Sequence, residues 1–328
     1  MSESTKRALV LSGGGGRGAY HVGALRFLEE HEWFPDVVVG TSIGAVNGAA
    51  IVSGHTAHSL WALWKKLTTE DVQRPNLDLL IDKSNSLLDT APLRKTLTEG
   101  GWLDLERINH QPPSKHLRIT VVEARTGRLR VFGNSCNASG KRSEHVPISV
   151  DHIVASCSIP IVYPPTTIDG TTFWDGGTVS NTPLGAAIDA GADDIVVVLM
   201  TPWEDEQVQP RYTPVSGLQG LLLSAQAAFE WALLASFQAD LKLFNRTNSL
   251  VQVQAENAAL KAAAGEAQDE GRPGRVFREI PSPIIVAPQE PIPVADIIRY
   301  EPDNHVKLYE LGYQDAKSAW ARAGRRVE

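Results

Sequence analysis

The first fifty residues of the chain alternate between short apolar runs and segments with helical spacing. Ala8–Leu11 and Val37–Val39 are apolar and lie just before glycines, which is typical of buried strands. Ala19–Glu30 repeats apolar residues at three- to four-residue intervals, and Ile43–Ser53 is rich in small residues, so both segments predict helices. This strand–helix–strand–helix order predicts a parallel sheet with helices on its faces.

Later segments extend the same pattern over the rest of the chain. The turn signals Thr126-Gly127 and Asp169-Gly170 predict two hairpins. Other predicted elements are a short helix or turn at Val150–Ser156, helices at Pro183–Ala190, Leu218–Phe244 and Pro302–Arg322, strands at Ile195–Met200 and Pro283–Ala287, and a loop at Gly265–Gly274. We expect one domain over residues 1–328 with a three-layer α/β/α architecture and a mainly parallel central sheet. The motifs lie in a core of about residues 8–200, and a C-terminal helical segment of about residues 201–328 completes the domain.

Net charge and cysteine count disfavour several classes of protein. The formal net charge is −7 at pH 7, whereas a nucleic-acid partner requires a basic surface. Two cysteines, Cys136 and Cys157, are too few for a disulfide framework or a metal cluster. Neither a signal peptide nor an apolar run of membrane-spanning length is recognisable. We therefore expect a cytoplasmic protein that needs no metal or cofactor.

A glycine-rich turn, Ser12–Gly18, connects the first predicted strand to the first predicted helix. Its residues Gly13, Gly15 and Gly18 match the G-x-G-x-x-G fingerprint of dinucleotide-binding folds, so a nucleotide-binding module is one alternative. That fingerprint also expects an acid at the end of the second strand. The nearby acid, Asp36, stands at the beginning of this strand instead, which weakens the nucleotide interpretation.

An oxyanion hole is the second interpretation of this turn. Successive glycines let backbone N–H groups point into a cavity without a Cβ in the way, and the helix beginning near Ala19 adds the positive end of its dipole. Both features stabilise an oxyanion that forms only during acyl transfer. A turn that merely links strand to helix is the third interpretation, and it needs fewer than four consecutive glycines.

The pentapeptide Gly40-Thr41-Ser42-Ile43-Gly44 has the pattern G-x-S-x-G between a predicted strand and a predicted helix. This is the setting of a nucleophile elbow, in which a sharp turn exposes the serine. An ordinary α/β-hydrolase places more strands before this turn and a histidine after its acid. The histidines offer little support for such a triad: His21, His55 and His58 carry no motif, and His305 lies in a polar segment that predicts a solvated helix face.

An acid in a glycine turn is the other candidate for chemistry. Asp175 ends an apolar run and is followed by Gly176 and Gly177. An aspartate in such a turn either caps the next helix or supplies a carboxylate for catalysis. Since Asp175 is far from Ser42 in the sequence, only the fold can bring the two together.

Together these motifs resemble those of the patatin-like phospholipases. The resemblance covers LSGGGGRGAYHVGAL, VVVGTSIGAVNG, ASCSIPIVYPP and DGGTVSNTPLGAAIDAGADDIVVV in the family's order, and the ending ELGYQDAKSAW. It implies a patatin-like fold with Ser42 as the nucleophile, Gly40 and Gly44 at its elbow, and Asp175 of the D-G-G motif as the general base. The residues that match the family's oxyanion hole are Gly13, Gly14, Gly15, Arg17 and Gly18.

The resemblance also implies a reaction and a substrate class. Asp175 accepts the proton of Ser42, the serine attacks an ester carbonyl, and the glycine amides hold the oxyanion. Acyl chains of phospholipids or other lipids are the expected substrates, with a transient contact at a membrane surface. A short-chain or neutral-lipid carboxylesterase is the alternative. Two roles stay open for Arg17, which either steadies the glycine turn or attracts a phosphate head group.

The long segment Leu218–Phe244 is apolar around most of its circumference, which fits either a lipid-facing lid or a helix buried on the sheet. An interfacial helix usually has a strongly basic face, and here only Lys242 and Arg246 are near. We therefore favour a core helix.

Overall fold

The computed structural model describes residues 5–77, 86–113, 115–135, 143–203, 217–263 and 279–326. Its strands, numbered in chain order, are β1 (Arg7–Leu11), β2 (Val37–Thr41), β3 (Arg74–Pro75), β4 (Leu88–Asp89), β5 (His116–Glu123), β6 (Leu129–Gly133), β7 (Ser143–His145), β8 (Thr166–Ile168), β9 (Thr171–Asp175), β10 (Asp194–Val198) and β11 (Ile284–Val286). The helices are α1 (Ala19–Glu30), α2 (Ile43–Val52), α3 (Ala57–Trp64), α4 (Thr69–Val72), α5 (Ala91–Glu99), α6 (Leu105–Asn109), α7 (Val150–Ser156), α8 (Leu184–Asp189), α9 (Gly217–Ala263) and α10 (Pro302–Arg322).

Nine of the strands in the described part of the chain form one sheet in the order β11-β10-β1-β2-β5-β6-β7, with β9 beside β5 and β8 beside β9. The five strands from β11 to β5 are parallel to one another. Antiparallel pairing is confined to β5–β6, β5–β9 and β8–β9 within this sheet. The predicted mainly parallel sheet is therefore confirmed.

Helices cover both faces of this sheet. Alternate residues of β1 point in opposite directions, so Leu9 and Leu11 join the core beneath α1, α2 and α10. The residues between them, Ala8 and Val10, join the core beneath α8 and α9. The structure therefore has the three layers that the sequence predicts.

Most predicted elements form close to their expected bounds. The helices at Ala19–Glu30 and Pro302–Arg322 match, and both hairpins form. The predicted helix Leu218–Phe244 is part of the longer α9, whose described side chains begin at residue 235. Within these, Phe237 and Phe244 are buried in the core, which agrees with the preferred interpretation. The predicted loop Gly265–Gly274 lies outside the described residues.

No helix among the described residues is both long enough and apolar enough to cross a membrane.

Strand β5 brings the ends of two other strands together. β2 runs parallel to its first half and places Thr41 opposite Thr120, whereas β9 runs antiparallel to its last residues and places Asp175 opposite Val121. Since β6 occupies the other edge of β5, β2 and β9 share one edge and run toward each other. Their C-terminal ends therefore meet at neighbouring residues of β5, and the candidate site lies at this junction.

Candidate active site

Ser42 lies between β2 and α2 in a backbone conformation that few non-glycine residues adopt. Its φ is 56° and its ψ is −127°. The glycines on either side permit this sharp turn. A Cβ on Gly40 would lie 2.2 Å from the carbonyl oxygen of Gly44, and a Cβ on Gly44 would lie 2.3 Å from that of Leu11. Helix α2 begins at Ile43, so the positive end of its dipole lies beside the serine.

Asp175 is the last residue of β9, and its side chain is buried. The Ser42 side chain faces this carboxylate and acts to lower its pKa. The carboxylate also accepts the N–H of Gly177 at 2.7 Å. The backbone N–H of Asp175 donates to the Ser158 carbonyl at 2.8 Å, which fixes the end of the strand. The aspartate therefore caps a turn and contacts the serine at the same time.

The next residue, Gly176, packs directly on β5. A Cβ at this position would lie 2.5 Å from Thr120 Oγ1 and 2.6 Å from the Thr120 carbonyl oxygen. This close approach explains why a glycine follows the aspartate.

The Asp175 carboxyl has an unusual proton affinity. Burial raises its pKa to about 7, although the Ser42 side chain and the hydrogen bond from Gly177 act in the opposite direction. A base with a pKa near neutrality can both accept and return a proton at physiological pH. An ordinary carboxylate would be a weaker base.

A serine from α7 holds the elbow on the sheet. The Ser42 N–H donates to Ser156 Oγ at 2.8 Å, and the Ser156 hydroxyl donates to the Thr120 carbonyl at 2.7 Å. The neighbouring Cys157 has a buried thiol; burial raises the pKa of this thiol, and the Ser42 side chain acts to lower it. Sequence reasoning did not identify Ser156 as a functional residue. The only signal was its position in the ASCSIP stretch.

The glycine turn lies beside the serine. A Cβ on Gly13 would lie 3.1 Å from the Cβ of Ser42. The Gly13 N–H donates to the side-chain oxygen of Asn181 at 3.0 Å and to the Asn181 carbonyl at 3.3 Å, so this amide is already engaged. Asn181 follows the turn that begins at Asp175, so its bond to Gly13 connects this turn to the glycine turn. Its role was also missed, since nothing in the sequence indicates this contact.

Two further glycines of the turn, Gly15 and Gly16, touch the C-terminal part of the chain. A Cβ on Gly15 would lie 1.8 Å from the Ile297 carbonyl oxygen, and Gly15 also has a φ of 56°. A Cβ on Gly16 would lie 1.8 Å from the Arg299 carbonyl oxygen. Only glycine fits at these positions.

Arg17 is buried rather than exposed on a surface. Its guanidinium donates to the carbonyl oxygens of Gly14 at 3.3 Å, Met200 at 3.4 Å and Ile292 at 3.5 Å. Of its two suggested roles, this geometry favours steadying the turn. Gly18 lies beneath Trp64, because a Cβ there would lie 2.7 Å from the ring.

All nine histidines belong to the described residues, and none of them hydrogen-bonds to Ser42 or Asp175. The prediction that His305 lies on a solvated helix face is wrong. His305 is fully buried, and its Nδ1 lies 2.9 Å from the carbonyl oxygen of Trp64, because α10 turns this face toward α3. His21 is buried too, with its Nδ1 3.3 Å from Asn47 Nδ2.

The nucleotide interpretation has little support in this geometry. Asp36 directly precedes β2 and therefore lies at the N-terminal ends of the parallel strands, whereas the glycine turn follows the C-terminal end of β1. The Asp36 carboxylate accepts the N–H of Arg7 at 2.8 Å. It therefore lies far from any ligand bound at the turn. Among the described residues, no three His, Cys, Asp or Glu side chains are grouped as a metal site would require.

Comparison with known proteins agrees with these motifs. A family model described as patatin-like phospholipase matches residues 9–188. The chain is 29% identical to lysophospholipase NTE1 of Meyerozyma guilliermondii over 223 residues, which are 65% of this chain and 14% of that protein. It is 29% identical to the uncharacterized protein YqhO of Bacillus subtilis over 60% of this chain and 72% of the relative. The chain thus spans only a small part of the lysophospholipase.

The comparison with solved structures gives weaker likenesses. VipD from Legionella pneumophila is 14% identical, with a TM-score of 0.43 over 97% of this chain and 67% of that chain. ExoU of Pseudomonas aeruginosa in complex with SpcU is 16% identical, with a TM-score of 0.40 over 98% of this chain and 52% of that chain. Since the family model covers more than half of the sequence, including both Ser42 and Asp175, the chain belongs to the patatin-like phospholipase family.

Proposed function

We propose that this protein is a serine ester hydrolase that removes acyl chains from phospholipids or other lipids. The approach of the Ser42 side chain to the buried Asp175 carboxylate, whose pKa burial raises to about 7, carries the proposal. Family membership supports a lipid substrate, and the lysophospholipase relatives point in the same direction. We propose the two residues as a catalytic dyad.

In the proposed mechanism, Asp175 takes the proton of Ser42 as the serine oxygen attacks the ester carbonyl carbon. The carbonyl π electrons move to oxygen and form a tetrahedral oxyanion. When the C–O bond to the alcohol breaks, Asp175 returns the proton to the leaving oxygen. A water molecule then attacks the acyl-enzyme, with Asp175 first as its base and then as the acid that restores Ser42.

The oxyanion is assigned to the glycine turn. Gly14 and Gly15 are the proposed N–H donors, because the Gly13 amide is engaged with Asn181. Gly13 would then position the turn against Ser42, and Arg17 and Gly18 would keep its shape through their buried contacts. Backbone donors of this kind stabilise a transition state because they need no reorganisation when charge develops.

A panel of substrates tests this proposal and its alternative. p-Nitrophenyl esters from butyrate to palmitate are compared with phosphatidylcholine, lysophosphatidylcholine and triacylglycerol, with Ser42→Ala as the control. We expect long-chain esters and phospholipids to be cleaved, and Ser42→Ala to be inactive on all of them. Turnover limited to short-chain or neutral esters would favour the carboxylesterase. Hydrolysis by Ser42→Ala would contradict the dyad, and a thermal shift with ADP or NAD would revive the nucleotide-binding alternative.

A further inference from the structure

Ile161 is an exposed apolar residue held in a strained conformation. It has a φ of 72°, which is an outlier for a β-branched side chain, and its side chain is 71% exposed. The turn around it is closed by the Tyr163 N–H, which donates to the Ile159 carbonyl at 2.9 Å. Neither burial nor backbone preference favours an isoleucine here. Strain of this kind clusters at functional sites.

Two leucines lie next to Ile161. The Leu87 N–H donates to the Ile161 carbonyl at 2.9 Å, and the Asn76 N–H donates to the Leu87 carbonyl at 3.1 Å. Leu77 follows Asn76 directly. Leu77 and Leu87 are 72% and 55% exposed, so three large exposed apolar residues share one neighbourhood.

Ile298 is the fourth apolar residue of this group, and the buried side-chain amide of Gln73 connects it to Tyr163. The side-chain oxygen of Gln73 accepts from the Tyr163 hydroxyl, and its Nε2 donates to the Ile298 carbonyl at 2.8 Å. Ile298 is 38% exposed and follows Ile297, whose carbonyl touches Gly15. We call Leu77, Leu87, Ile161 and Ile298 the apolar rim.

The apolar rim borders the candidate active site on two sides. On one side, Ile161 comes four residues after Cys157, whose pKa the Ser42 side chain acts to lower. On the other side, Ile298 adjoins the segment that contacts the glycine turn. A ligand that covers the rim would therefore adjoin the segments that frame Ser42 and the glycine turn.

We propose that the apolar rim docks on a phospholipid surface and delivers acyl chains from it to Ser42. This inference rests on the proposed function, because the rim is continuous with a site that is assigned lipid substrates. Its charge also fits such a surface. Arg299 directly follows Ile298, is exposed, and has no ion-pair partner among the described residues, so it can meet an anionic lipid phosphate. Exposed apolar groups beside a basic residue are typical of proteins that bind at membrane interfaces.

Vesicle binding tests the rim without relying on catalysis. All variants are made in a Ser42→Ala background, and co-sedimentation is measured with phosphatidylcholine vesicles that contain phosphatidylglycerol. Leu87→Ser and Ile161→Asn should each lower the partition coefficient roughly tenfold, since each removes the transfer of a large apolar side chain. Leu250→Ser on α9 is the matched control, because Leu250 is similarly exposed (62%) but belongs to another part of the chain. Arg299→Gln should lower binding only to vesicles with the anionic lipid.

Ile161→Asn gives a second readout. Asparagine tolerates a positive φ better than isoleucine, so this variant should melt at a higher temperature than its parent while it binds vesicles less well. With Ser42 restored, the rim variants should keep their turnover of a soluble ester and lose turnover of vesicle phospholipid. If the parent does not bind vesicles, if the rim variants bind like the parent, or if only Leu250→Ser loses binding, the docking proposal is wrong. The soluble-ester activity reports on the proposed function separately.

Discussion

Asn181 joins the glycine turn to the loop that carries Asp175, because its side-chain oxygen accepts the Gly13 N–H at 3.0 Å. Its Nδ2 also lies 3.5 Å from the Gly13 carbonyl oxygen, so one amide faces both polar groups of the same peptide. Ser42, Asp175 and the glycine turn come from separate parts of the chain. The contact between Asn181 and Gly13 fixes the glycine turn relative to the loop that carries Asp175.

Asn181→Ala should therefore lower kcat by about tenfold or more with a smaller change in KM, because a displaced turn loses transition-state contacts. Steady-state kinetics on a soluble ester measure the effect. Asn248→Ala is the control, since Asn248 makes a comparable bond to the Ile280 carbonyl at 2.7 Å away from the site. Equal kinetics for both variants would refute a positioning role for Asn181.

Ser42 should be the single residue that a fluorophosphonate probe modifies. Its side chain faces the Asp175 carboxylate, and the raised pKa of that carboxyl favours loss of the serine proton during attack. Labelling followed by peptide mass spectrometry identifies the site. Ser156→Ala should slow the labelling without abolishing it, because the Ser42 backbone loses its 2.8 Å contact. Undiminished labelling of Ser42→Ala would show that another nucleophile reacts.

The pH dependence of turnover should follow the Asp175 carboxyl. Only the ionised form can act as the base, so kcat/KM should rise with pH and level off above about 7. Asp175→Asn should lower turnover by roughly 10³-fold or more, as loss of a catalytic base typically does. A profile that levels off near pH 4, the range of an ordinary carboxyl, would contradict the role of burial.

Asp175→Asn, which should lower turnover, should raise the stability of the protein above neutral pH. The raised pKa means that the folded protein binds a proton on Asp175 between about pH 3.8 and 7, whereas the unfolded chain does not. Stability from this group is therefore present at low pH and is lost as pH rises through about 7. At pH 8, Asp175→Asn should unfold at higher denaturant concentration than wild type, by up to about 4 kcal/mol. At pH 3 the two proteins should differ little.

The glycine turn is best tested at Gly14. A Cβ there would lie 2.4 Å from the end of the flexible Met200 side chain and 3.5 Å from Arg17 Nε, whereas Gly15→Ala would collide with the Ile297 backbone. We expect Gly14→Ala to fold and to lose ~10²-fold in kcat, because the added Cβ displaces the Gly14 amide from its position toward the oxyanion. Gly185→Ala is a suitable control, because a Cβ at Gly185 meets nothing within 4 Å. A folded Gly14→Ala enzyme with wild-type kcat would remove this amide from the mechanism.

His21 should make the protein sensitive to acid. Burial lowers its pKa to about 3, so below pH 6.5 the unfolded chain binds a proton that the folded protein refuses. Stability should fall from pH 6.5 toward pH 3, by up to about 1.4 kcal/mol per pH unit from this group. Urea unfolding of wild type and His21→Gln should show a shallower acid slope for the variant. Parallel slopes would mean that His21 protonates in the folded state.

Local sequence patterns were sufficient for the sheet, most helices and the choice of Ser42 and Asp175 as candidate residues. The elbow around Ser42 and the turn after Asp175 both require glycines for steric reasons, and such requirements leave a readable pattern. Asn181 and Ser156 could not be found in this way, because their partners lie more than one hundred positions away along the chain. His305 was misplaced for a related reason. Its neighbours in sequence are polar, and only the packing of α10 on Trp64 buries it.

The contacts of Gly15 and Gly16 with the carbonyls of Ile297 and Arg299 have a consequence for protein synthesis. A growing chain that has reached residue 203 already contains Ser42, Asp175 and Asn181. It still lacks the carbonyl groups against which the glycine turn is packed. If the turn needs this support, the ribosome releases a competent hydrolase only after the C-terminal segment has been made. The cell's own lipids are then not exposed to a half-finished enzyme.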